Sequence, residues 1–347
     1  VAALVVAASL GAALARASPS ASEPTVAELV GQRLVVAMEG TSPSASLLRR
    51  VRRGEIGGVI LFGHNVRSPA QVRTLTAALH LAAEDAGRPR LLVLVDQEGG
   101  DLRRLRWVPP GRSAEELGRL GARAVRAAGR DTAEALRRNG IDVNLAPVAD
   151  VPRVPGSFLV AQRRAFSRDP GQAAILATAF ARGLAEGGVL ATAKHFPGLG
   201  GAVGNTDLAA VTITGSPRAL ATDLVPFRRL VAVGVPLVMI SSAVYPAYGR
   251  EPALWTPAVH RLLRRELGFA GATVSDALEA VARTRGRSLE SVAFLAARAG
   301  TDLLLFAGSE ASTAAVHGDL VRAVVDGRLS RANLERGHRR ILALKAG

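Results

Sequence analysis

Cysteine is absent from the chain, so disulfides, thiol catalysis and Cys-ligated metal centres are excluded. Lysine is almost absent: Lys194 and Lys345 stand alone among 44 basic residues. Aromatic residues make up 4% of the 347 positions, against 48% hydrophobic residues overall, so the core must be packed mainly with aliphatic side chains. No His-x-His or His-Glu-x-x-His spacing occurs, and metal-assisted hydrolysis therefore lacks its usual ligand pattern. No Gly-x-Gly-x-x-Gly turn follows the first apolar run, which weakens a dinucleotide-binding reading. There is no low-complexity segment beyond the N-terminus and no interdomain linker.

Acidic residues are outnumbered, 29 against 44, giving a formal charge of +15. The arginines are scattered through segments of helical period, as at Arg123, Arg126, Arg130, Arg137 and Arg138, rather than clustered with aromatics. Nucleic acid is therefore not an expected partner, whereas loose association with an anionic cell envelope is compatible with the charge. Residues 1–22 are read apart from the fold. Val1 to Ala15 are small and apolar, and Arg16-Ala17-Ser18-Pro19-Ser20-Ala21-Ser22 follows, like the core and cleavage zone of a secretory signal whose Met and basic start are missing. Export is the expectation, with an uncleaved segment serving as an anchor as the alternative. About 15 apolar residues are short for a membrane span of roughly 20.

From Val26 onward, short runs rich in Val, Ile and Leu alternate with amphipathic stretches. The runs Leu34–Met38, Gly58–Phe62, Leu91–Val95, Val143–Pro147, Val189–Ala193, Leu237–Ile240, Ala272–Val274 and Asp302–Phe306 read as strands buried on both faces. Ala114–Arg138, Gln172–Glu186 and Leu289–Ala299 have helical period. Ser68-Pro69, Asp169-Pro170, Ser216-Pro217 and Thr256-Pro257 each set a capping oxygen before a proline at the first helical position. Ser68 with Gln71, and Ser113 with Glu116, have capping-box spacing. Eight strand–helix units over residues 23–347 predict an α/β fold, a single-domain (β/α)8 TIM-type barrel. A doubly wound sheet is the runner-up.

In a barrel, polar residues at the C-terminal ends of the strands converge on one mouth. Here those ends carry Asp96-Gln97-Glu98-Gly99-Gly100, Asn144 and then Asp150, Lys194-His195, Ser241-Ser242 and Ser275-Asp276. Such a rim suits either a Schiff base on Lys194 or two carboxylates flanking a glycosidic bond. Export favours carbohydrate chemistry.

Gly57-Gly58-Val59-Ile60-Leu61-Phe62, Asp96-Gln97-Glu98-Gly99-Gly100, Lys194-His195-Phe196-Pro197-Gly198, and Leu267-Gly268-Phe269 through Ser275-Asp276-Ala277-Leu278 occur in that order. Together they resemble glycoside hydrolase family 3, in its single-barrel β-N-acetylhexosaminidase branch, over roughly Val26 to Lys345. The resemblance implies a retaining β-N-acetylglucosaminidase acting on cell-wall (peptidoglycan) type saccharides as a monomer, with no cofactor and no metal. By position, it makes Asp276 the nucleophile and Asp96, Arg104, Arg164, Lys194 and His195 the residues that hold the saccharide. The family's loop after Lys-His-Phe-Pro-Gly continues His-Gly and ends Asp-Ser-His. In this chain Leu199 replaces the first histidine and the closing triplet is Asn205-Thr206-Asp207. The acid/base position is thus Asp207, and its orienting carboxylate has become neutral Asn205. Asp101 stands where the family has arginine, and Ser242 where it has histidine. Either Asp207 serves as a carboxylic acid/base, or the chain is a catalytically impaired relative that binds saccharides.

Overall fold

The computed structural model describes residues 23–346; the leader-like segment lies outside them. Ten strands occur in chain order: β1 (Leu34–Ala37), β2 (Gly58–Leu61), β3 (Leu92–Val95), β4 (Gln97–Gly99), β5 (Leu102–Arg103), β6 (Val143–Asn144), β7 (Leu190–Phe196), β8 (Leu237–Ile240), β9 (Ala272–Ser275) and β10 (Leu304–Phe306). Eight are parallel neighbours in the order β10-β1-β2-β3-β6-β7-β8-β9, and a Val274–Leu303 bridge draws the two ends together. β4 and β5 form a separate antiparallel hairpin over the mouth. A helix follows each strand of the ring, so the predicted (β/α)8 architecture is the observed one.

Alternation along the strands divides the apolar side chains into two cores. Val35, Ala37, Ile60, Leu92, Leu94, Val143, Met239 and Val274 fill the ring, while Leu34, Val36, Val59 and Val93 pack outward against the helices. Ile341 and Leu344 of the final helix, Arg331–Ala346, join the inner core. Lys345 of that helix donates to Gln32 Oε1 at 2.7 Å and to the Gly57 carbonyl at 2.9 Å. The C-terminal helix therefore closes the pole opposite the strand ends, in keeping with a scaffold role. Among the described residues no helix is long and apolar enough to cross a membrane.

Local differences from the sequence reading have local causes. Ser68 and Asp169 do cap their helices, accepting from the Gln71 and Gln172 amides, and Ser113 with Glu116 forms the full capping box. Thr256 does not cap; its hydroxyl donates to the Glu251 and Pro252 carbonyls instead, both at 2.9 Å. The continuous helix expected over Ala114–Arg138 is two, Ala114–Arg119 and Gly121–Arg138, broken where Gly121 adopts a φ of +82°. β6 is only two residues long, because the chain turns through Pro147, which has no amide to donate. β7 is longer than expected and includes Lys194 and His195, with a register shift against β8 between Ala193 and Phe196.

Helices Gly121–Arg138 and Pro170–Glu186, which follow β3 and β6 in the chain, cross where Gly183 lies against the backbone of its neighbour: a Cβ there would meet the Arg126 carbonyl oxygen at 2.1 Å. Gly183→Ala is expected to push the helices apart at a cost of about 1–3 kcal/mol, measured as a lower denaturation midpoint at unchanged m-value.

Candidate active site

Asp96, Arg104, Arg164, Lys194, His195, Asp207 and Asp276, spread over 181 positions of sequence from Asp96 to Asp276, all line one cavity of about 750 Å³ at the C-terminal ends of the strands. Its floor is the top layer of the inner core, with Ile60, Leu145, Met239 and Leu305. β3 delivers Asp96, the β4–β5 hairpin delivers Glu98 and leads into Arg104, β7 carries Lys194 and His195, and β9 ends at Asp276. Arg164 comes from the turn after the short helix Phe158–Ala161, and Asp207 from the long loop after β7.

A buried ion network organises one wall. Lys194 Nζ lies 2.9 Å from Asp96 Oδ1 and 2.6 Å from Glu98 Oε1. Arg164 holds Glu98 through Nε and Nη2, both at 2.9 Å, in the two-pronged geometry that suits guanidinium and carboxylate. Arg104 Nη2 reaches Asp96 Oδ2 at 3.3 Å. Burial opposes the charge on Asp96, Glu98, Arg164 and Lys194, and their partners overcome it. Lys194 and Arg104 hold the Asp96 carboxyl below its usual range, and Arg164 and Lys194 hold Glu98 well below its own. Burial likewise works against Lys194, yet Asp96 and Glu98 push its ammonium upward. Lys194 is thereby a fixed cation, the opposite of the neutral amine that Schiff-base chemistry requires.

His195 is held from behind. Its Nδ1 lies 2.7 Å from Asp150 Oδ2, and its backbone amide donates to Asp150 Oδ1 at 3.1 Å. The Leu199 amide donates to the same oxygen at 2.7 Å, which ties the start of the β7 loop to the imidazole's support. With Nδ1 occupied, Nε2 is the nitrogen free to meet a ligand.

Asp276 is half-buried. Its Oδ2 accepts from the Ser242 hydroxyl at 3.0 Å and its Oδ1 from the Ala277 amide at 2.9 Å. Asp207 sits at the exposed lip, with its carboxyl facing the cavity; burial, and then the Asp276 charge, push it above the ordinary carboxylate range, while His195 and Arg164 pull the other way. Asn205 Oδ1 accepts the Asp207 backbone amide at 3.0 Å, and Arg283 Nη2 donates to the Asp207 carbonyl at 2.5 Å, so the loop is pinned at this residue by main-chain contacts. The arrangement offers one hydrogen-bonded carboxylate, a second carboxyl biased toward its protonated form, and a polar wall able to bind hydroxyls.

The sequence reading set Glu98 and Asp150 on the polar rim but assigned neither a role of its own. Asp96-x-Glu98 spacing could have revealed the first, since residues two apart on an extended chain share a face.

Residues 25–344 match the N-terminal domain of glycosyl hydrolase family 3. The chain is 36% identical over 352 aligned positions to a secreted glycosyl hydrolase of Arthroderma benhamiae, covering 97% of this chain and 98% of that protein. Its fold superposes with a TM-score of 0.88 and 33% identity on a family 3 β-N-acetylglucosaminidase from Paenibacillus, over 93% of this chain and 62% of that longer one. A β-N-acetylhexosaminidase from Beutenbergia cavernae matches with a TM-score of 0.81 and 30% identity, over 94% and 99% of the two chains.

Proposed function

The chain belongs to glycoside hydrolase family 3, and we propose that it is a retaining β-N-acetylglucosaminidase that removes N-acetylglucosamine from cell-wall type saccharides. What carries this reading is a single cavity lined at once by Asp276, Asp207 and the Asp96–Lys194–Glu98–Arg164 network. The preference for an acetamido sugar is supported by the activities named for the Paenibacillus and Beutenbergia proteins. Export is supported by the secreted Arthroderma relative.

In the first step an Asp276 oxygen attacks the anomeric carbon and the bond to the leaving oxygen breaks. That oxygen takes the proton from the Asp207 carboxyl. In the second, the Asp207 carboxylate removes a proton from water, whose oxygen attacks the anomeric carbon and releases Asp276. Asp207 must start protonated, and burial together with the Asp276 charge pushes it in that direction. Asp96, Arg104, Arg164, Lys194 and His195 hold the glycone by its hydroxyls and acetamide. Asn205, which takes the place of a charged orienting residue, fixes Asp207 through its backbone amide.

Asp207→Ala is expected to slow hydrolysis of a β-1,4-linked N-acetylglucosamine disaccharide by about 10²–10⁴-fold. An aryl glycoside with a good leaving group should be much less affected. The sign of the pH effect follows from the role: activity on the disaccharide falls as pH rises through the raised Asp207 value, and the variant lacks that limb. Equal losses on both substrates would remove Asp207 as the acid. Saccharide binding without turnover by the unmutated chain would favour the reading as a catalytically impaired saccharide-binding relative.

A further inference from the structure

Beside the cavity, and sharing Asp101 and Arg104 with it, lies a recess of about 460 Å³ lined by Arg67, Arg103, Arg106 and Trp107. Arg67 and Arg106 are exposed. None of Arg67, Arg103 and Arg106 has a carboxylate partner among the described residues. Arg103 is instead fixed by donating to the Gly100 and Arg106 carbonyls at 2.9 and 3.3 Å. Asp101, a carboxylate in the lining, leaves the recess cationic. Trp107 is 38% exposed despite its size. Unneutralised guanidinium groups around an open indole suit a ligand that is anionic and carries carbon surface.

Ring order tells which end of the saccharide would meet this recess. Its residues follow β2 and β3, whereas Asp276 follows β9, and β3 lies diametrically across the ring from β9. A sugar with its anomeric carbon at Asp276 and its hydroxyls at Asp96 and Arg104 spans the mouth, so the recess begins beyond the hydroxyl end, away from the scissile bond. We propose that the recess receives an anionic substituent, phosphate or carboxylate, borne on the terminal hexosamine itself, making the substrate class an acidic N-acetylhexosaminide. This rests on the glycosidase reading above.

The test compares 4-nitrophenyl N-acetyl-β-glucosaminide with its 6-phosphate and its 3-O-lactyl ether, in the unmutated enzyme and in Arg67→Gln/Arg106→Gln. At least one anionic substrate is expected to have a KM about tenfold lower than the neutral one, the scale of a few exposed guanidinium–anion contacts. Which one it is identifies the anion. The double variant should erase that preference and leave kcat/KM for the neutral substrate in place, and 0.5 M salt should shrink it. A neutral substrate turned over as well as, or better than, both anionic ones overturns the proposal while leaving the glycosidase reading intact. Should no substrate be cleaved, the glycosidase reading fails by itself, and calorimetry with N-acetylglucosamine and its 6-phosphate decides. Equal affinities overturn the recess assignment, and a tenfold preference lost in the double variant upholds it.

Discussion

Asp276→Asn is expected to lower kcat by about 10⁴-fold or more on aryl and disaccharide substrates alike, with little change in KM. The carboxylate is held at the end of β9 by main chain on one side, the Asp276 amide donating to the Ile240 carbonyl at 3.2 Å. On the other side it accepts from the Ser242 hydroxyl and the Ala277 amide. An amide of the same shape keeps the position but offers no anionic oxygen to the anomeric carbon. The loss should not depend on the leaving group, because every substrate must pass through the covalent intermediate. That independence separates Asp276 from Asp207, whose removal matters most when the leaving group is poor. Asp276→Gly adds a stereochemical check. Azide entering the vacated space would attack from the same face and give a glycosyl azide of inverted configuration. Retention of more than a few per cent of kcat in Asp276→Asn, on both substrates, would end the case for this residue as nucleophile.

The barrel was legible because its strands are short apolar runs covered on both faces, as at Leu92–Val95 and Leu237–Ile240, each followed at once by a polar residue, Asp96 and Ser241. The candidate site was legible for a related reason: ionisable residues at the C-terminal ends of such runs emerge at the mouth, and Asp96 and Asp276 do so. What could not be read was pairing. Glu98 meets Arg164 across 66 positions and His195 meets Asp150 across 45, and nothing in local pattern says which carboxylate will face which cation. The extension of β7 through Lys194 and His195 was hidden for the same reason, since ionisable residues in a buried strand are tolerated only when distant partners neutralise them. The β4–β5 hairpin is too short and too polar to register as a strand pair, yet it carries Glu98 into the network.

Glu98→Gln is expected to be the costliest single change to stability in the site wall. Glu98, Lys194 and Arg164 have side-chain exposures of 5%, 3% and 12%. Removing the anion leaves two cations in a dry wall with Asp96 alone to balance them, and Asp96 already faces Arg104. Stranding a buried charge in this way costs about 3–5 kcal/mol, which corresponds to a fall in Tm on the order of 10 °C for a chain of this size. The pH dependence gives the sharper reading. Burial works against the Glu98 carboxylate, but Arg164 and Lys194 hold its folded-state value well below the unfolded value near 4.5. A group depressed on folding contributes stability fully above its unfolded pKa and loses it as pH falls toward the folded one. The unmutated protein should therefore lose stability progressively below about pH 4.5. Glu98→Gln, having no proton to gain there, should start lower at pH 7 and decline less steeply, so that the two curves approach each other in acid. Asp96, depressed in the same direction by Lys194 and Arg104, keeps a residual slope in the variant. Parallel curves from pH 7 to pH 3 in chemical denaturation would mean that Glu98 is not the anion that balances Lys194 and Arg164.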